Sequence, residues 1–304
     1  MTDTQLRPAQ ADAGRGSERP QASVRTADGS SRLRRFGRHL ALAALGIVMI
    51  YPLLWMIASS LRTDDDIFTS IGLWVPHPDW GNYAEGWNGL ESPFGNYLVN
   101  SAIIAVLCIL GNLVAATMAA YAFARLRFRF KRTMFAVMLL TIMLPIHVVI
   151  VPQYILFSNL GWLNTFVPLV LPKFLATDAF FVFLMVQFMR GIPRELDEAA
   201  RLDGCGYLRT FGQIILPLTV PALATTAIFT FIWTWNDFFS QLIYLTEPVT
   251  YSVPVALRSF MDATSGTSWG PLFAMSVVTL VPVFLAFLLG QRFLVRGIAT
   301  TGGK

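Results

Sequence analysis

Five stretches of this chain carry no charged side chain: residues 40–61, 96–124, 133–172, 212–236 and 263–291. A helix needs about 20 apolar residues to cross the hydrocarbon core of a bilayer, so each stretch is long enough to do so. Apolar residues make up 55% of the chain and charged residues 13%, against about 25% charged in soluble domains. Buried core helices of a soluble protein are the competing account. A globular domain rarely needs five such runs, and the charges that remain are segregated between them.

The run at 133–172 must be divided. Ser158-Asn159-Leu160-Gly161 reads as a turn. That places one span at 133–157 and the next at 166–189, with Lys173 and Asp178 inside it; a helix starting near Ala176 is the alternative. The expected fold is an all-α polytopic membrane protein with six transmembrane helices, at 40–61, 96–124, 133–157, 166–189, 217–244 and 272–291. Arg32, Arg34, Arg35 and Arg38 precede the first. Arg125, Arg127, Arg129, Lys131 and Arg132 fill the second connection, Arg190, Arg194, Arg201 and Arg209 the fourth, and Arg292, Arg296 and Lys304 follow the last. The opposite loops hold Arg62, Lys173 and Arg258. Basic residues gather on the cytoplasmic side, so both termini are expected there. Asp64-Asp65-Asp66 then falls in an extracytoplasmic loop, 62–95. This topology accounts for the net charge of +5 without any nucleic-acid partner.

Residues 1–31 are polar and aperiodic and read as a disordered cytoplasmic tail; 292–304 read as a short cytoplasmic tail at the other end. The first span is too long, and starts too late, for a secretory leader, and reads as a signal anchor. Cys108, mid-span, and Cys205, on the reducing side, are not expected to pair. Neither belongs to a metal-ligand spacing.

The connection at 190–216 is polar and helix-prone. Gly191-Ile192-Pro193 ends the preceding span, and Glu195, Asp197 and Glu198 crowd a new first turn, where the helix dipole favours negative charge. Ala199 and Ala200 are small enough for a partner to approach, and Gly204 or Gly206 can end the helix in the left-handed conformation. A second helix is expected from about Tyr207, with Phe211, Ile214 and Ile215 on its apolar side. An interfacial amphipathic helix is the plain alternative. However, Glu198-Ala199-Ala200, three residues, Gly204, nine residues, Ile214, one residue and Leu216-Pro217 resembles, without a gap, the docking loop of binding-protein-dependent ABC importer permeases. That resemblance covers most of the chain and implies the type I importer permease fold in a bacterial plasma membrane. It implies ATPase docking through Glu195, Glu198, Ala199, Ala200, Asp203 and Gly204. The implied partners are a second permease, two ABC ATPase subunits, an extracytoplasmic sugar-binding lipoprotein and membrane lipids. No cofactor is expected on this chain. It has no G-x-x-x-x-G-K-[ST], so ATP and Mg belong to the partner ATPase and no catalytic residue is expected.

Three features resemble the carbohydrate-importing branch, in particular its maltose-type second permease. They are Trp235-Asn236-Asp237-Phe238, Trp269-Gly270, and the ending Gln291-Arg292-Phe293-Leu294-Val295-Arg296-Gly297 with Gly302-Gly303-Lys304. In some members of that branch this tail reaches the interface between the two ATPase subunits; here Arg296 stands where a neutral residue is usual, so the resemblance implies tail docking less than loop docking. Trp233, Trp235, Asn236 and Asp237 suit a sugar path, since aromatic faces stack on sugar rings and the amide and carboxylate bond hydroxyls. An ionisable residue inside a span is costly and so a candidate for function. Asp237 can equally lie at the outer interface, where tryptophans also collect, and helix packing is a further reading. His147 reads as a residue of helix packing or of a backbone hydrogen bond rather than a proton relay. Pro145 and Pro152 are expected to kink their span. Gly111 with Ala115, and Ala116 with Ala120, have the spacing of close helix packing. Asp178 either pairs across spans or faces a cavity.

Other classes fit less well. A non-sugar importer permease would share the docking loop but not Trp235-Asn236-Asp237-Phe238. A secondary transporter predicts two related halves and several mid-membrane ionisable groups. An intramembrane metalloenzyme predicts H-E-x-x-H, which does not occur.

Overall fold

A computed structural model describes residues 29–262 and 266–299. The tail expected over 1–31 lies outside the described residues as far as residue 28, and Gly302-Gly303-Lys304 lies outside them too. Two units divide within the first helix, between Tyr51 and Pro52.

Residues 29–51 belong to α1 (Gly29–Ser59). From Leu40 to Tyr51 its large side chains are apolar and exposed, Leu42, Ile47, Val48 and Met49 among them. An all-round apolar surface of this kind suits lipid rather than water.

The second unit continues from Pro52. Two short helices follow, α2 (Asp64–Ile67) and α3 (Gly81–Asn88). The long helix α4 (Phe94–Arg125) is next, then α5 (Lys131–Thr141), α6 (Ile146–Asn159), α7 (Val167–Phe174) and α8 (Ala179–Gly191). The polar connection holds α9 (Glu195–Leu202) and α10 (Tyr207–Thr210). A π-helical turn, Phe211–Ile215, leads into α11 (Leu216–Leu218), α12 (Val220–Trp235) and α13 (Phe239–Tyr244). After α14 (Val253–Arg258), strands β1 (Met261–Asp262) and β2 (Gly266–Thr267) pair antiparallel before α15 (Trp269–Ala299). Arg35–Ser59, Phe94–Arg125, Val167–Gly191 and Trp269–Gln291 are long and apolar enough to cross a membrane. Two bent pairs bring the number to six if each is one span: α5 with α6, at 98°, and Tyr207–Leu218 with α12, at 74°.

The middle spans are not continuous rods. The helix expected over 133–157 breaks between α5 and α6, where Pro145 cannot continue the first and caps the second. Pro152 sits inside α6 and ends nothing. The helix expected over 166–189 breaks between α7 and α8, with Ala176 in the left-handed region at φ 55°. The one expected over 217–244 breaks at Asn236–Phe238, between α12 and α13.

Lipid tails are as apolar as leucine, so membrane helices associate through close packing rather than water exclusion. The core follows that rule. Ala116, Ala120 and Ala124 of α4 let Phe181, Val182, Met185 and Met189 of α8 pack closely. At Gly111, an added Cβ would lie 2.8 Å from the Phe174 ring of α7. The same face of α4 supplies Phe94, Tyr97 and Ala105 to a cluster with Trp235, Ala256 and Met275. It also supplies Ile104 and Cys108 to another with Phe157, Leu169 and Tyr244. The connection before α4 is bonded to the last helix: Asp64 accepts hydrogen bonds from the backbone N–H groups of Trp269 (3.3 Å) and Gly270 (2.7 Å). A carboxylate there satisfies orphan donors at the start of α15.

Candidate functional site

The first candidate site is the connection carrying α9. Glu195, Asp197 and Glu198 fill its first turn, and Gly204, at φ +76°, ends it. The Cys205 N–H donates to the Ala200 carbonyl (2.8 Å) and the Gly204 N–H to that of Arg201 (3.0 Å), the paired bonds of a Schellman cap. Sequence reasoning left Gly204 and Gly206 open; the left-handed residue is Gly204.

The two faces of α9 differ. Glu195, Glu198, Ala199 and Leu202 follow at the i, i+3, i+4, i+7 spacing of one helix face, and all four are exposed, as are Asp203 and Gly204. Leu202 is 90% exposed, and Leu208, beyond the cap, is 82% exposed. Both are large apolar side chains left bare on a polar connection. Sequence reasoning missed both leucines, although the helical spacing from Glu195 reaches Leu202. Ala200 lies on the opposite side, buried, so its small size serves packing within this chain.

The inward face is locked by Arg125, the last residue of α4. Its guanidinium donates to Asp197 of α9 (2.7 Å) and to the carbonyls of Met189 (2.6 Å) and Ile192 (2.7 Å) at the end of α8. The Arg125 side chain is only 4% exposed. A single fork-shaped cation therefore ties three helices at one point, the kind of contact the planar guanidinium is built for.

The second candidate site lies among the broken helices. Two cavities, of about 590 and 560 Å³, share Ile146, Leu169, Lys173, Asp237 and Ser240 as lining. All three breaks contribute to their walls: Leu144 from the first, Leu175–Asp178 from the second, Asn236 and Asp237 from the third. Irregular backbone at membrane depth is tolerated where it is buried in protein or lines a water-filled cavity, and these breaks fit that rule.

The polar groups here are arranged by the breaks themselves. Lys173 donates to both oxygens of Asp178, at 3.0 and 2.8 Å. Asn112, near the middle of α4, donates to the same carboxylate (2.8 Å) and to Thr230 of α12 (3.1 Å). Of the two roles open to Asp178, it takes both, pairing across helices at the cavity edge. Asn236 returns a hydrogen bond to the Ile232 carbonyl (2.7 Å), and Gln241 donates to that of Thr234 (2.8 Å); both add a second donor to carbonyls of the last turn of α12. Asp237 Oδ1 accepts from the Ser240 N–H (3.0 Å). Trp233 lies against Phe180 and Phe181, its indole half exposed. It lines the cavity with Asn236 and Asp237. Trp235 does not: it is buried and stacked on Phe231. His147, expected as a packing residue, is exposed and lines the cavity with its ring 4.8 Å from that of Phe239. Among the described residues no cluster of side chains could hold a metal ion.

The Lys173–Asp178 pair supports a stability prediction. Removing one partner of a poorly solvated pair strands the other, whereas removing both can be nearly neutral. Lys173→Met and Asp178→Asn are each expected to lower the melting temperature of the detergent-purified protein by several degrees. The double variant is expected to melt above both. Additive losses would show that the pair is not coupled.

Comparison with known proteins fits this architecture. Residues 111–298 match the model of the family described as binding-protein-dependent transport system inner membrane component. The probable ABC transporter permease protein YurM of Bacillus subtilis is 35% identical over 261 residues, 85% of each chain. The diacetylchitobiose uptake system permease protein NgcG of Streptomyces coelicolor is 32% identical over 262 residues, 85% of this chain and 86% of that one. The sn-glycerol-3-phosphate transport system permease protein UgpE of Yersinia pestis is 32% identical over 267 residues, 86% and 94%. A chain of a bacterial ABC transporter that imports the acidic polysaccharide alginate has the same fold, with a TM-score of 0.75 at 21% identity over 87% of this chain and 98% of that one. The chain belongs to the binding-protein-dependent transport system inner membrane components, as a multi-pass inner-membrane permease subunit of an ABC importer.

Proposed function

We propose that this permease is one of two different membrane subunits of a type I importer for carbohydrates. It crosses the membrane six times with both termini in the cytoplasm, the arrangement favoured by the basic residues of its even-numbered connections. The cavity among the broken helices is its share of the solute path. Solute arrives from an extracytoplasmic binding lipoprotein. Two ATPase subunits hold ATP and Mg, and their closure is passed to this chain through α9. Access then alternates without covalent chemistry here.

The exposed face of α9 carries the coupling reading, because it joins the docking pattern to bare apolar side chains on a polar connection. Glu195, Glu198, Ala199, Asp203 and Gly204 supply the contact, with Leu202 at its centre and Ala200 holding α9 against its own helices. Carbohydrate as the solute is supported by Trp235-Asn236-Asp237-Phe238 and by the diacetylchitobiose uptake named for one relative. Trp233, Asn236 and Asp237 are the path residues, and Trp235 anchors them from the core. The relative named for sn-glycerol-3-phosphate favours a second reading, an importer of a non-sugar solute.

Gly204 tests the coupling. A Cβ there meets nothing of this chain within 4 Å, but φ is +76°, a conformation that most side chains adopt at a cost of about 1–2 kcal/mol. Asparagine tolerates that conformation. In the assembled importer, Gly204→Leu is expected to reduce ATP-dependent uptake at least about tenfold, with normal amounts of protein in the membrane. Gly204→Asn is expected to fall between it and the parent. Parental uptake by Gly204→Leu would show that nothing docks at this cap.

A further inference from the structure

The solute-path cavity has a chemistry of its own. Among the described residues lining its two parts, Lys173, Asp178 and Asp237 are the ionised groups. Lys173 and Asp178 are closed on each other, and that carboxylate is further held by Asn112. One positive and one negative charge thereby cancel, and Asp237 is left over. Its Oδ1 is occupied by the Ser240 N–H; no hydrogen bond or ion pair engages Oδ2 among the described residues. Gln241, 2% exposed, lines the same cavity, and its Oε1 has no hydrogen-bond partner there. Its amide nitrogen is already committed to the Thr234 carbonyl.

Asp237 Oδ2 and Gln241 Oε1 are both acceptors, one bearing a negative charge, and the exposed rings of Trp233 and His147, which carry donors, line the same cavity. A wall of this kind rewards hydrogen-bond donors and positive charge. To an anionic group it presents one uncompensated negative charge. We infer that the cavity is a charge filter: it passes uncharged hydroxyl-rich or amino-bearing sugars and rejects acidic ones. Asp237 sets the filter and Gln241 completes its acceptor surface. The inference rests on the solute-path reading above. The fold alone does not set the charge of the solute, since the alginate importer, which shares it, carries an acidic polysaccharide.

Thiol labelling tests the filter without knowledge of the solute. The complete importer, in native membranes, carries Cys108→Ser, Cys205→Ser and a single reporter, Ser240→Cys; Thr177→Cys, on the same lining, is the second reporter. The backbone bond from residue 240 to Asp237 survives the first substitution. The rate of modification by the cationic reagent methanethiosulfonate ethyltrimethylammonium is divided by that of the anionic ethylsulfonate, each scaled to its rate with a free thiol. A narrow cleft of one sign enriches counter-ions by about tenfold or more, and a ratio of about that size is expected at both reporters. Adding Asp237→Asn, which keeps an oxygen for the Ser240 N–H, is expected to bring the ratio close to unity. A ratio near unity with Asp237 present, or one favouring the anion, overturns the filter and leaves the path reading standing. No modification by either reagent, with or without ATP, makes the cavity dry and overturns both.

Discussion

Arg125→Ala is expected to abolish uptake by the assembled importer. Arg125 joins the end of α4, the last carbonyls of α8 and Asp197 of α9 through three hydrogen bonds of 2.6–2.7 Å. Alanine would leave the Asp197 carboxylate without its cation and would remove a donor from the Met189 and Ile192 carbonyls. Breaking a buried ion pair from one side costs about 3–5 kcal/mol. The loss falls on the orientation of α9 rather than on insertion, because the apolar spans are untouched. Membrane content should therefore stay near normal while uptake drops by about 100-fold or more. Arg125→Lys keeps the charge but not the fork, since a single ammonium cannot span three separated acceptors, and should recover part of the activity. Asp197→Asn should be nearly as damaging as the alanine variant, because it leaves the buried guanidinium without a counter-charge. Uptake within a factor of two of the parent in Arg125→Ala would show that α9 is held in place by something else.

Leu202→Asp is expected to release the ATPase subunits and to abolish transport with them. Leu202 is 90% exposed, so the change breaks no packing inside this chain. If α9 seats in a partner groove, the aspartate forfeits about 1.5–3 kcal/mol of leucine burial and adds the cost of desolvating a charge. Together these amount to at least about 100-fold in affinity at the contact. The measurement pairs uptake with co-purification of the ATPase subunits in mild detergent; both should fall. Leu202→Met, which keeps volume and apolarity, should leave both close to the parent. Full retention of the ATPase by Leu202→Asp would remove this face of α9 from the contact.

The spans were legible because a charged side chain is costly in hydrocarbon, so its absence over long runs is a physical constraint written in composition. The helix α9 was legible for a similar reason: proline, first-turn acids and glycine mark its ends. The breaks were not. Pro145 announced one, but nothing in Leu175-Ala176-Thr177 signals a left-handed alanine, and that conformation is held by the tertiary environment. Lys173 and Asp178 blurred the boundaries of the fourth span because they sit at its interruption and neutralise each other. The part played by Arg125 could not be read either. It counted as one basic residue among five in its connection, and its partners lie 64 to 72 positions away. The Trp235-Asn236-Asp237-Phe238 signature was legible as four residues but not as two roles. Burial of Trp235 and helix-end bonds from its neighbours separate one anchoring ring from the polar groups of the cavity.

The placement of α4 limits how this protein can be cut. The region shared with its family begins at residue 111, halfway along that helix. Phe94, Tyr97, Ile104, Ala105 and Cys108, all upstream, fill two of the three interior clusters, and Asp64, further upstream, caps α15. A fragment trimmed to the shared region would lose the axle on which its remaining helices are mounted. The stretch matched by the family model is thus narrower than a piece that keeps these interior contacts.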